Sequence, residues 1–195
     1  MNSDTQIKKR KSLPVGAKCV FKGVIFDVWQ WKQKMFDGSL VTFEKLKRAD
    51  TVNVIALAGQ KILLLKQKQP DWRKYKNTLA GGRVDEGESP LQAAKRELLE
   101  ESGYASNKWI LWKKINPYGK IIWTVYSFVA RDCVKKQGSK PDAGEKIEAR
   151  LVNFDEFLKL SEDPDFYEGE LKNSLLRARL NKKYRKELYD LLFLN

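Results

Sequence analysis

Three glutamates, Glu97, Glu100 and Glu101, recur at spacings of three and four residues. A helix turns about 100° per residue, so this spacing puts three carboxylates on one face. Like charges at that spacing repel, and more strongly where they are partly buried. Beside an apolar face such a cluster invites a compensating cation, and an oxygen-only site favours Mg²⁺ or Mn²⁺. Taken alone, the three glutamates read more readily as a solvated acidic face. The chain contains no histidine. Ser-His triads, Cys-His dyads and histidine-metal sites are therefore excluded, and any hydrolysis falls to carboxylates, metal, lysine, arginine or tyrosine.

The elements that must hold these carboxylates are legible around them. Residues 80–104 read as a glycine-rich loop feeding a short helix. Ser89 is a good N-cap, Pro90 suits the first helical position and Gln92 completes a capping box. Gly103 is a natural C-terminal stop. Leu91, Ala94 and Leu98 form an adjacent face that should be buried. Gly81 and Gly82 permit a tight loop just before the helix.

The same stretch resembles the Nudix box at every defined position: Gly82, five residues, Glu88, seven residues, Arg96-Glu97-Leu98, one residue, Glu100-Glu101, one residue, Gly103-Tyr104. The pattern fixes many positions in a short span, so it is far more specific than a lone glycine motif. The resemblance implies a metal-dependent hydrolase of a nucleoside diphosphate linked to another group, built as an α/β/α sandwich around a mixed β-sheet. It makes Glu97 and Glu101 the main metal ligands and Glu100 a third acidic group. The Gly81 carbonyl is expected to complete the sphere. Arg96, paired with Glu88, is expected to brace the loop against the helix, while Asp85 and Glu86 read as solvated turn residues. A pyrophosphate resists attack because its oxygens repel a nucleophile; a divalent cation neutralises that charge and makes bound water more acidic.

The segment Phe43-Glu44-Lys45-Leu46-Lys47-Arg48, followed by Ala49-Asp50-Thr51-Val52, resembles the one that opens the core in the branch of ADP-ribose pyrophosphatases and nucleoside-diphosphate-sugar hydrolases. In that branch a glutamate on the loop before the last strand is the general base, which points to Glu145, with Glu148 second; Glu100 is a further candidate. Arg48, Lys66 and Arg73 could meet phosphates, and Phe26, Trp29, Trp31 and Phe43 could stack on a base. Surface solvation and core packing are the competing readings of these residues. Pro117 falls roughly where the branch carries a proline. One departure stands out: Lys66-Gln67-Lys68-Gln69 lacks the arginine that usually closes this run, which leaves the substrate open between ADP-ribose and nucleotide sugars.

The 195-residue chain is 42% hydrophobic, enough to give one decorated domain a real core. We divide it into a basic, mobile tail (1–12), an N-terminal β-hairpin (13–50), a core (51–160) and a C-terminal helical segment (161–195). The hairpin is expected to comprise one strand over 18–31, a turn at Asp37-Gly38 and a return strand. By resemblance it exchanges with a second subunit, which implies a homodimer. Further strands are expected at 52–58, 61–66, 109–115, 121–130 and 147–154, and Ile62 to Leu65 should be buried on both faces. Leu171, Leu175, Leu176, Leu180, Leu188, Leu191 and Leu192 form an interrupted stripe for packing on the core or on a second subunit.

Cys19 and Cys133 are too few and too far apart for a disulfide framework and read as two buried thiols. No apolar run reaches membrane-spanning length and no signal peptide pattern is present, so a cytoplasmic protein is expected. The net charge of +13 favours anionic partners. It keeps open RNA 5′-end or dinucleoside polyphosphate hydrolysis, and also a nucleotide-sensing or RNA-binding module with little turnover. Neither basic terminus carries a nucleic-acid motif.

Overall fold

The fold is described by a computed structural model over residues 13–141 and 143–194; the basic tail proposed for residues 1–12 lies outside the described residues. Strands β1 (Lys18–Lys22), β2 (Asp27–Lys34) and β3 (Leu40–Lys47) lead into β4 (Thr51–Ala58), β5 (Lys61–Lys68), β6 (Lys76–Thr78) and β7 (Ala80–Arg83). Helix α1 (Pro90–Ser102) follows. Next come β8 (Tyr104–Ala105), β9 (Lys108–Ile115), β10 (Ile121–Ile122), β11 (Val125–Arg131), β12 (Val134–Lys135) and β13 (Lys146–Val152). The chain ends in α2 (Phe154–Lys159), α3 (Gly169–Leu180) and α4 (Lys182–Phe193).

The central sheet has the order β13-β5-β4-β11-β9, with β6 paired to β5 and β7 to β4. It is mixed: β11 runs parallel to β4, while β13-β5, β4-β5 and β11-β9 are antiparallel. Ile62 and Leu64 pack with the residues of α2, α3 and α4, whereas Leu63 and Leu65 pack with those of α1. Side chains alternate across a strand, so helices cover both faces and the four-residue apolar run is buried on both sides, as expected. Leu171, Leu175, Leu188 and Leu192 carry the C-terminal helices into the core, while Leu176 and Leu180 remain exposed.

The hydrogen bonding of β4 and β5 matters most for function. They pair only at their hairpin end, Leu57–Ile62 and Ala58–Lys61. Beyond it they diverge, and β7 takes the edge of β4 while β6 takes the edge of β5. The site lies in this split.

Three expectations are corrected. The strand over 18–31 is two strands, because Gly23 N–H bonds to Phe26 O (3.1 Å) and closes a turn in which a side chain at 23 would strike that carbonyl. The N-terminal unit is thus a three-stranded meander. The strand over 121–130 also breaks. Ile121–Ile122 joins β3 in the first sheet, Thr124 N–H is held by Asp50 Oδ1 (2.9 Å), and Val125 then enters the central sheet opposite Thr51. Cys133 is buried, but Cys19 lies exposed on β1.

Candidate active site

Helix α1 begins as its sequence dictates. Ser89 Oγ accepts from Gln92 N–H (3.3 Å), and Gln92 Oε1 accepts from Ser89 N–H (2.9 Å). It stops at Gly103, whose φ of 73° suits glycine and whose N–H bonds to Leu99 O (2.8 Å). The preceding loop is held in the sheet, with Gly81 opposite Asn53 and Gly82 opposite Val52. Gly81 N–H donates to Glu101 Oε2 (2.8 Å). A side chain at Gly82 would occupy the space of the Glu97 carboxylate. Both glycines are therefore required by close approach.

Arg96 organises the acidic face. Its Nε and Nη2 hold both oxygens of Glu88 (3.1 and 3.0 Å), a bidentate pairing. Its Nη1 reaches Glu97 Oε1 (2.9 Å) and Glu100 Oε2 (3.2 Å), and Nη2 also donates to Arg83 O (3.0 Å). Asp85 is an exposed turn residue, as expected, and adds a longer contact to Arg96 (3.7 Å). Hydrogen bonds from Arg96 hold the Glu88 carboxyl below its usual range. The same contacts raise the arginine further.

Glu97 and Glu101 lean the other way. Burial pushes the Glu97 carboxyl up, against the pull of Arg96. Glu101 is 4% exposed, and burial drives its carboxyl well up despite the Gly81 N–H. The charges of Glu97, Glu145 and Glu168 add to that effect. Buried oxygen donors that repel one another fit a hard divalent cation. Among the described residues no three acidic or thiol groups are gathered at ion-holding distance; Arg96 holds Glu97 and Glu100, and Gly81 holds Glu101.

Glu145 faces the same site from the other side of the split. Its Oε1 accepts from Gln67 Nε2 (2.9 Å) and Gln69 Nε2 (3.1 Å), and Gln67 Oε1 accepts from Thr78 Oγ1 (3.1 Å). The glutamine that replaces the expected arginine thus helps to aim Glu145. Glu148 lies exposed on β13 opposite Lys66.

A cleft of about 460 Å³ opens over Gly81 and Gly82. Arg48 lines it, as does Pro117. The Arg48 guanidinium sits 4.8 Å from the Trp123 ring centre and 5.5 Å from that of Phe26, and its buried Nε has no hydrogen-bond partner. Trp29 and Phe43 lie outside the lining: Lys47 Nζ covers Trp29 at 5.7 Å, and Phe43 packs 6.1 Å from Trp31. Arg73 is exposed, and its neighbour Trp72 lines the cleft instead.

Several lining residues escaped the sequence reading. Trp72 and Tyr167 pair at 4.9 Å on the β5–β6 flank, with Lys76 Nζ 4.2 and 4.6 Å from their ring centres. Tyr118 and Trp123 stack at 6.3 Å on the β11 flank. Asn53 and Glu168 close the inner wall. Only Gln69 carried a warning in sequence, as a departure from the expected run. Glu168 precedes a helix far from the box and had no signal.

The site is thus an arginine-braced row of glutamates at a split in the mixed sheet of an α/β/α sandwich. The chain belongs to the NUDIX family: the profile of the NUDIX domain matches residues 47–170. It is a Nudix hydrolase related to ADP-ribose pyrophosphatase. The ADP-ribose pyrophosphatase of Bacillus subtilis (strain 168) is 25% identical over 169 residues, covering 84% of this chain and 90% of that protein. The ADP compounds hydrolase NudE of Escherichia coli (strain K12) is 23% identical over 175 residues, covering 87% and 92%. A crystal structure of an ADP compounds hydrolase shares the fold, with a TM-score of 0.71 at 23% identity over 87% of this chain and 95% of that one. Among the described residues no helix is long and apolar enough to cross a membrane.

Proposed function

We propose that this chain hydrolyses the pyrophosphate bond of a nucleoside diphosphate linked to a sugar, ADP-ribose or a nucleotide sugar, with Mg²⁺ or Mn²⁺. The observation that carries this reading is the buried carboxylate of Glu101 and the largely buried one of Glu97, under the glycine loop that floors the cleft. They would hold the cation, with Glu100 and the Gly81 carbonyl assisting. The bound cation would neutralise phosphate charge and make water more acidic.

The chain's own residues do the rest. Arg48 offers its guanidinium to a phosphate. Glu145, oriented by Gln67 and Gln69, takes a proton from the attacking water. The new bond joins the water oxygen to one phosphorus. The bridging P–O bond breaks, its oxygen leaves with the other phosphate, and a nucleoside monophosphate and a sugar phosphate result. Arg96 and Glu88 brace the loop.

Aromatic pairs on both flanks of the cleft favour one second reading, in which the linked group is another nucleoside. Phe21, Ile25 and Phe36, exposed on the N-terminal meander, suit the expected homodimer. The test is a panel of ADP-ribose, nucleotide sugars, dinucleoside polyphosphates and nucleoside triphosphates with Mg²⁺. Released monophosphate from the first two classes is expected. Turnover of triphosphates alone would sink the proposal.

A further inference from the structure

Two acidic residues of the cleft wall, Glu168 and Glu170, have no part in the reaction above; Glu170 is exposed, and Glu168 is the one turned inward. It stands immediately before α3, where an acidic residue ordinarily caps the helix, yet its side chain makes no cap hydrogen bond. It turns into the cleft and accepts a hydrogen bond from Asn53 Nδ2 (3.1 Å), with the backbone N–H of Leu79 beside it. Asn53 is 8% exposed and sits opposite Gly81, the residue that holds Glu101. The Asn53–Glu168 pair therefore stands one strand away from the proposed metal carboxylates.

Its chemistry narrows what it meets. Among the described residues no lysine or arginine pairs with Glu168. Glu168 is held by the Asn53 amide, whereas Glu97 and Glu101 are held by Arg96 and the Gly81 N–H, so it has its own anchor beside the proposed metal set. A half-buried carboxylate needs hydrogen-bond donors. Vicinal hydroxyls supply two donors matched to two carboxylate oxygens, which is how acidic residues read a ribose elsewhere. Tyr167, the preceding residue, pairs with Trp72 in the same lining. An aromatic surface beside a carboxylate suits a sugar, whose C–H face is apolar and whose hydroxyls donate.

The geometry points to Glu168 as the residue that selects a sugar-linked substrate. Its carboxylate accepts hydrogen bonds from vicinal hydroxyls of the sugar beyond the diphosphate, Asn53 fixes its orientation, and Tyr167 covers the ring. This assignment rests on the proposed pyrophosphate hydrolysis and names the group that the hydrolase reads.

The test compares ADP-ribose with the methyl ester of ADP, which keeps the pyrophosphate and lacks the sugar. Binding is measured on the full chain with the α,β-methylene analogue of each, and turnover with the esters themselves. The wild type should bind the sugar analogue about 10- to 100-fold more tightly. Glu168→Ala should bring that ratio to within about threefold of one, Glu168→Gln should retain part of it, and Asn53→Ala should lower it. The Mg²⁺ concentration for half-maximal turnover should not move. Equal binding of the two analogues by the wild type would overturn the assignment. So would equal weakening of both in Glu168→Ala, or a raised Mg²⁺ requirement, which would make Glu168 a metal ligand. Preference lost in Glu168→Ala without hydrolysis of either ester would defeat the hydrolase reading and leave hydroxyl recognition standing. Equal kcat/KM for both esters in wild type and variant would do the reverse. A thermal melt of each variant checks folding, and Asn53→Ala supplies the second variant.

Discussion

The floor and the walls of the cleft are built in opposite ways. The floor comes from one continuous stretch, in which Gly81, Gly82, Glu88, Arg96, Glu97 and Glu101 touch through a loop and a single helix. The walls are assembled from distant segments: Arg48, Asn53, Gln67, Trp72, Trp123 and Glu168 meet only because the sheet splits between β4 and β5. The floor is an ionic network whose members fix one another. The walls are aromatic pairs and single hydrogen bonds whose members can change independently. Metal binding should therefore reside in the floor and selectivity in the walls, with Glu145 acting on the floor from across the split.

Breaking the floor should have the largest effect. Glu101→Gln should lower turnover by roughly 10³-fold while leaving the fold intact. Steady-state kinetics beside a thermal melt check both halves of that statement. Arg96→Ala should cost about 2 kcal/mol in denaturant unfolding, less than a fully buried ion pair, because Arg96 keeps 30% side-chain exposure. It leaves Glu88 and Glu97 without their cation.

Changes in the walls should be smaller and should act on binding. Arg48→Ala should raise KM about tenfold, the value of one charge-assisted phosphate contact, with little change in kcat. A fall in kcat equal to the rise in KM would move Arg48 into the floor's chemistry. The smallest effect concerns pH. Burial raises the Glu168 carboxyl above its ordinary value, so the folded chain holds this proton more tightly than the unfolded chain does. Its stability contribution is full below the unfolded-state value and is lost as pH rises through the folded one. Without metal or nucleotide, Glu168→Gln should melt close to wild type at pH 4 and gain on it toward pH 7. A gap that shrinks with rising pH would contradict this.

The same contrast explains what could be read in advance. The box was legible because its contacts are local: helical spacing, a capping box and a glycine stop follow from adjacent residues. Its arginine bracing followed from the family pattern. The buried run Ile62 to Leu65 was legible because both faces of its strand are covered. The breaks at Gly23 and at Trp123–Thr124 were not, since strand-forming residues continue through them and the interruption comes from Phe26 O and Asp50, contacts that composition does not encode. Trp72, Tyr167 and Glu168 were missed for a related reason. Their partners are distant in sequence, Trp72 meeting Tyr167 and Glu168 meeting Asn53, and nothing in their own neighbourhoods marks them. Trp29 and Phe43 show the converse, because aromatic residues on strands most often pack against neighbours, as these do.

The most direct test of the central claim is hydrolysis of ADP-ribose by the purified chain in ¹⁸O-labelled water with Mg²⁺, with products analysed by mass. The account predicts AMP and ribose 5-phosphate in equal amounts, with one ¹⁸O atom in one of the two products. Intact ADP-ribose under conditions in which ATP is consumed would contradict it.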